Sequence, residues 1–142
     1  MTRLHVHLHL DGTTRQALEF YKSVLGGELQ IATVGETPWA AEMPTPTGVK
    51  PDPNKVMHAT LTTKDWQIMA ADMMDPGSFT KGDNYSIVLR CDSEKEARSV
   101  FEKLSAGGTV TMPLDQTPFG WFGTFTDKFG VDWMIQSDAK SQ

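Results

Sequence analysis

The sequence predicts an α+β fold of two βαβββ modules in one domain over residues 1–142, with module one at 1–75 and module two at 82–137. Three observations predict it. Two amphipathic segments of matched design recur along the chain, strand-like segments surround each of them, and a glycine pair closes each helix. A chain of 142 residues fits one domain, or two small halves sharing one core.

The helices come first in the argument because they fix the repeat. "TTRQALEFYKSVLGG" (13–27) and "SEKEARSVFEKLSAGG" (93–108) each open on a capping box, Thr13 with Gln16 and Ser93 with Glu96. In such a box two orphan donors at a helix start are satisfied reciprocally. Ala17, Leu18, Tyr21, Val24 and Leu25 recur at helical spacing, as do Ala97, Val100, Phe101 and Leu104. Gly26-Gly27 and Gly107-Gly108 suit the left-handed conformation that ends a helix. Thr13 and Ser93, Ala17 and Ala97, Tyr21 and Phe101, and Gly27 and Gly107 share one offset, the mark of an internal duplication.

Strands precede and follow each helix. "LHVHLHL" (4–10) leads into the first and "NYSIVLRC" (84–91) into the second. After the first come segments 28–34, 55–63 and 66–72; after the second come 109–114, 121–126 and 131–136. The polar "TKD" at 63–65 and the glycine-ended "DKFG" at 127–130 suit tight turns. The segment 35–54 holds five prolines, which cannot donate to a strand ladder, so it reads as a loop: a lid, a dimer contact or an excursion. A second connection at 73–83 joins the modules, broken at Pro76-Gly77.

Composition narrows the function classes. A net charge of −5 with scattered basic residues argues against a nucleic-acid partner. No apolar run approaches membrane-spanning length, and "MTRLHVHLHL" lacks a signal-peptide apolar segment, so the expectation is a soluble cytoplasmic protein. The single Cys91 excludes an internal disulfide and a cysteine-rich zinc site, and its apolar strand neighbours read as a buried, inert thiol. No G-x-S-x-G elbow or G-x-x-x-x-G-K-[ST] phosphate loop occurs.

The chemistry-bearing stretch is "HVHLHLDG" (5–12). Successive strand side chains face opposite sides, so Leu4, Val6, Leu8 and Leu10 form one face and His5, His7 and His9 the other. The leucine face is the natural partner of the helix, which leaves the histidines on the opposite side of the sheet. In module two the same logic puts Tyr85, Ile87 and Leu89 under the helix and Ser86, Val88 and Arg90 opposite. Reconciling the two strands requires the strand-to-cap link to differ by one residue between modules. Two histidines at i and i+2 can both reach one metal; they can equally line a pocket wall, and a third ligand must come from elsewhere.

With the duplicated plan established, the chain resembles the glyoxalase/bleomycin-resistance, or vicinal oxygen chelate, superfamily, and within it the PhnB-like branch. The resemblance rests on residues 11–29, 55–75, 82–114 and 119–136, with "MHATL", "GGTVTMPL" and "DKFGVDWMI" as its more specific blocks. It implies an open eight-stranded cup with helices on the convex side, commonly within a homodimer. Relatives in this branch have been labelled 3-demethylubiquinone-9 3-methyltransferase. A cofactor-binding methyltransferase would want a glycine-rich loop opening a helix after a strand, whereas the glycine pairs here follow helices.

The resemblance also implies where metal ligands would fall in the superfamily's enzymes, on the first and last strand of each module. In this sequence those positions are His5 (or His7 after a slip of two), the neighbourhood of Ala70 with Asp72 as the nearby carboxylate of the same parity, Ser86 and Met134. A hydroxyl and a thioether are poor ligands for the cations these enzymes use, so the usual metal site is expected to be absent. A different set, His7, His58 and Asp72, remains open if His58 and Asp72 both face the cup. Trp121, Phe119, Met69, Met134 and Trp39 are candidate apolar walls, with the histidines as polar handles.

Two functional readings follow. In the first, a homodimer holds a small, partly apolar molecule against His5, His7, His9 and His58, with Met69, Asp72, Ser86, Trp121 and Met134 completing the site and no cofactor needed. The alternative is a metal-dependent lyase, isomerase or dioxygenase, in which a divalent cation on His7 with His58 or Asp72 polarises a substrate oxygen.

Overall fold

The alternating amino-terminal segment forms strand β1 (Val6–Leu10), and the amphipathic stretch after it forms helix α1 (Thr14–Leu25). Strands β2 (Glu28–Thr33), β3 (Val56–Thr62) and β4 (Gln67–Asp72) complete the first module, with a short 3-10 helix at Pro38–Glu42 after β2. The order repeats as β5 (Ile87–Cys91), α2 (Glu94–Ser105), β6 (Thr109–Thr117), β7 (Gly120–Thr126) and β8 (Asp132–Ser137). The computed structural model describes residues 1–42, 48, 50, 52–74 and 79–138. Pro76, Gly77 and part of the proline-rich segment lie outside the described residues.

Each module forms its own unit, Met1–Thr80 and Lys81–Gln142. The first sheet has the order β1-β4-β3-β2 and the second β5-β8-β7-β6. In both, the first strand runs parallel to the last and the remaining pairs are antiparallel. Each helix covers one face of its own sheet. Under α1 lie Leu8, Leu10, Ala59, Leu61, Ile68 and Ala70, meeting the helix's Ala17, Leu18 and Tyr21. Under α2, Phe101 meets Phe125 edge-on at 5.1 Å, and Trp133 and Ile135 are fully buried. Burying a large apolar side chain of this kind stabilises by about 1.5–3 kcal/mol, so each inner face holds its own module's helix to its sheet.

The register makes the duplication visible. Across the first sheet one row of paired residues reads His7, Met69, Thr60, Gln30, and across the second it reads Val88, Met134, Thr124, Met112. The link between first strand and helix spans residues 11–13 in module one and 92–93 in module two. The one-residue difference that the alternation required is present.

The helix starts differ from the expected pair of capping boxes. Ser93 caps α2, its hydroxyl accepting from the Glu96 N–H at 3.1 Å. Thr13 makes no side-chain cap. The carboxylate of Asp72, at the end of β4, accepts from the Thr14 N–H at 3.1 Å, so a remote side chain serves another donor of the same first turn. Tyr85 also departs from expectation: it precedes β5 and is exposed rather than packed under α2.

The turn between β7 and β8 is organised by Asp127. Its Oδ1 accepts from the N–H groups of Phe129 (2.8 Å) and Val131 (3.0 Å), and its Oδ2 accepts from Trp133 Nε1 at 2.9 Å. Gly130, at φ 85°, supplies the left-handed position the turn needs. The "DKFGVDW" block is therefore architecture. Among the described residues no helix is long and apolar enough to cross a membrane.

Candidate functional site

Alternation and register together decide what the uncovered face of the first sheet displays. Leu8 pairs with Ala70 and Ala70 with Ala59, all buried under α1, so the flanking row of His7, Met69 and Thr60 faces away from the helix. His9 pairs with Ala71 on that same face. His58 pairs with Ala32, and one step along the antiparallel β3–β4 pair sets it level with Ala71. The structure thus fixes the strand parity of His58, which the sequence left open.

Three imidazoles gather there. The His7 and His9 rings have centroids 4.7 Å apart, and His7 and His58 lie 6.3 Å apart with planes 30° from parallel. Desolvation holds His7 below its ordinary pKa, and any positive charge on His9 or His58 pushes the same way. At neutral pH the central ring is accordingly an uncharged imidazole with a lone pair to offer. Beside His58 a groove of about 510 Å³ is lined by Glu28, Gln30, Ile31 and Ala32 of β2, His58, Thr60 and Thr62 of β3, and Gln67 of β4. Thr60 and Gln30 were not among the candidate residues. Register selects them, and register is not readable from one strand's own sequence.

The remaining candidates separate from this cluster. His5 is exposed ahead of β1. Asp72 corrects the expectation that it shares a face with the histidines: it is buried on the helix side, where its two oxygens accept from the Thr14 and Val56 N–H groups. Ala70, the implied ligand position beside it, is also buried on that side. Trp121 is likewise corrected. It lies buried in the second module with the Arg98 guanidinium of α2 4.6 Å from its ring centroid, while its neighbour Phe122 takes the other face. Met134 is half-buried on the face opposite α2, paired with Val88, and Ser86 is exposed just before β5. Phe119 is 91% exposed in the β6–β7 turn.

The metal that the superfamily's enzymes imply can be tested against these positions. Asp72 holds two backbone donors behind the sheet, Ser86 offers a neutral hydroxyl and Met134 a thioether. This donor set does not fit the carboxylate-bearing site of those enzymes. Among the described residues no group of three or more His, Cys, Asp or Glu side chains is placed to hold one ion.

The fold defines a class: duplicated βαβββ modules in the manner of glyoxalase/bleomycin resistance proteins. Solved structures of that description from Frankia sp. EAN1pec and Burkholderia phytofirmans PsJN share the fold at 16% and 14% identity, with TM-scores of 0.68 and 0.61. Within that class the chain belongs to the 3-demethylubiquinone-9 3-methyltransferase family, whose model matches residues 2–136, a PhnB-like family. It is similar to protein YjdN of Escherichia coli strain K12, 31% identical over 93% of this chain and 92% of the relative. A structure of protein PA1353 from Pseudomonas aeruginosa is 34% identical, covers 97% of this chain and 100% of its own, and has a TM-score of 0.79. A Bacillus cereus structure described as a putative 3-demethylubiquinone-9 3-methyltransferase, PhnB protein, is 27% identical with a TM-score of 0.73, covering 96% and 99% of the two chains. The family's name denotes a methyltransferase, yet Gly26, Gly27 and Gly107 take positive φ at helix ends, the geometry of stops rather than of a phosphate-cradling start.

Proposed function

We propose that this chain is a binding protein of the PhnB-like type, which as a homodimer holds a small, partly apolar molecule against the histidine-bearing face of its first sheet. The observation that carries the reading is the gathering of His7, His9 and His58 around Met69 and Ala71, beside a groove of mixed polar and apolar lining. Such a surface offers a few placed hydrogen-bonding groups among apolar ones, the usual make-up of a small-molecule site. With His7 neutral, its ring both donates and accepts a hydrogen bond, which suits a carbonyl or hydroxyl on an uncharged ligand. Self-association draws support from the second sheet, where Val88 stands 49% exposed in the row whose counterpart in the first sheet begins with His7.

The test is a fragment screen by ligand-observed NMR on tag-free protein, with light scattering for mass. The reading expects hits that His7→Ala and His58→Ala each weaken at least several-fold, and a mass twice that of the chain. Hits indifferent to both substitutions would move the site elsewhere, and a monomer at micromolar concentration would remove the dimer.

A further inference from the structure

The chemistry of the groove beside His58 narrows what the open face of the first sheet can hold. Pairing sets three rows across it: Gln67, Thr62 and Glu28 in one, Met69, Thr60 and Gln30 in the next, and His58 with Ala32 in the third. Neighbours within a row stand about 4.8 Å apart and successive rows on one face about 7 Å apart, so a molecule of two linked rings spans them. Gln67 Nε2 donates to Thr62 Oγ1 at 3.1 Å, which leaves the Thr62 hydroxyl proton to donate elsewhere. Amides and hydroxyls both donate and accept, and a carboxylate accepts from two hydroxyls at once. A ligand hydroxyl therefore matches every polar group of these rows. Among the described lining residues Glu28 is the one acid, and no lysine or arginine joins it. A ligand carboxylate or phosphate would stand against that acid with no cation to offset it. Apolar ground lies toward the histidines, at Ala32, Ala71 and Met69.

We infer that the ligand of this face is an uncharged, hydroxyl-rich ring with an apolar substituent, a glycoside in chemical class, and that Glu28 excludes anionic ligands. The inference rests on the proposed small-molecule site and adds its selectivity. Ligand hydroxyls lie over Glu28, Thr62, Gln67 and Gln30, and the substituent lies toward Ala32, Met69 and the imidazoles. Mismatch supplies as much of the specificity as attraction does. A ligand without hydroxyls strips water from the amides and from Glu28 and leaves them unpaired, while an acidic one adds repulsion. The groove, at about 510 Å³, is of a size usual for small-molecule sites.

Three probes separate the terms: phenyl β-glucoside, phenyl β-glucuronide, which differs from it by one carboxylate, and anisole, which keeps the aromatic ring and loses the sugar. Tag-free protein is titrated with each at neutral pH, and binding is read from amide shifts of β2 and β3. The glucoside is expected to bind saturably, at least fivefold tighter than anisole and at least tenfold tighter than the glucuronide. Glu28→Gln narrows the glucoside-to-glucuronide ratio below threefold, and Glu28→Lys inverts the order. Thr60→Val and Gln30→Ala each weaken the glucoside at least threefold, with circular dichroism confirming that every variant folds. A glucoside that binds no tighter than anisole overturns the ligand class. A glucuronide that binds as tightly as the glucoside, or a preference unmoved by both Glu28 variants, overturns the role of Glu28. If the glucoside fails while other fragments bind in a His7- and His58-dependent way, this inference falls alone. If the glucoside binds through Glu28 but is indifferent to His7→Ala and His58→Ala, the ligand class stands and the histidine placement falls.

Discussion

Replacing Asp72 tests whether that carboxylate builds the fold or serves the site. Its oxygens accept from Thr14 N–H at 3.1 Å and Val56 N–H at 2.9 Å, and the first of these lies at the start of α1. A hydrogen bond to a charged group contributes about 1.5–3 kcal/mol, and removing the acceptor strands a buried donor. A negative group at a helix start adds about 0.3–1 kcal/mol. Water entering the vacated space recovers part of this, so Asp72→Ala is expected to cost about 3–5 kcal/mol, a large share of a domain's usual margin. Asp72→Asn keeps one acceptor oxygen and turns an amide toward the other donor, for a cost of about 1.5–3 kcal/mol. For a chain of this size that shift lowers Tm by about 5–10 °C, read by thermal and urea unfolding. Amide exchange at Thr14 and Val56 should accelerate ahead of the rest of the sheet. A stability change below about 0.5 kcal/mol in Asp72→Asn would refute the reasoning, since surface positions behave that way. Ligand or metal binding lost at unchanged stability would return Asp72 to the site.

Three further outcomes follow from the same geometry. In metal-free protein the His7 ring should titrate below the ordinary imidazole value of 6.5 by NMR; because the folded pKa is the lower one, its contribution to stability is intact above that value and is lost as pH falls below it, a loss that His7→Ala abolishes. The Cys91 thiol is pushed up to about 11, chiefly by burial and further by Glu96 and Asp92, so a thiol reagent at pH 8 should modify it only at the rate of unfolding. A Cβ added at Gly123 would stand 2.7 Å from Phe101 Cε2 and 2.8 Å from Leu114 Cα, so Gly123→Ala should destabilise by about 1–3 kcal/mol in urea, and a neutral result would mean that α2 packs more loosely than described.

The fold was legible because its signals are periodic. "LHVHLHL" alternates without a break, and both helices repeat apolar residues at their own spacing, so faces and connections could be assigned. The site was legible only in its histidines. In "WQIMAAD" alanines stand at both 70 and 71, which erases the alternation and let Asp72 be placed on the open face. In "FGWFGTF" two aromatics stand side by side, and nothing in either states which one the helix covers. The structure resolves both through pairing, since a residue's face is set by its neighbours across the sheet. At the start of α1 the Thr13 hydroxyl makes no cap, and the first turn is instead met by a carboxylate that arrives through tertiary structure at a different donor, the Thr14 N–H.

The two helix starts also imply different assembly histories. Ser93 reaches its donor three residues away, so the first turn of α2 can nucleate within a short stretch of nascent chain. In α1 the side-chain acceptor that meets the first turn, at the Thr14 N–H, lies 58 positions downstream, and closing so long a loop is slow and entropically uphill until the strands between have paired. Although it leaves the ribosome later, the carboxy-terminal repeat therefore has the more autonomous nucleus, and its amino-terminal twin matures only when its last strand docks.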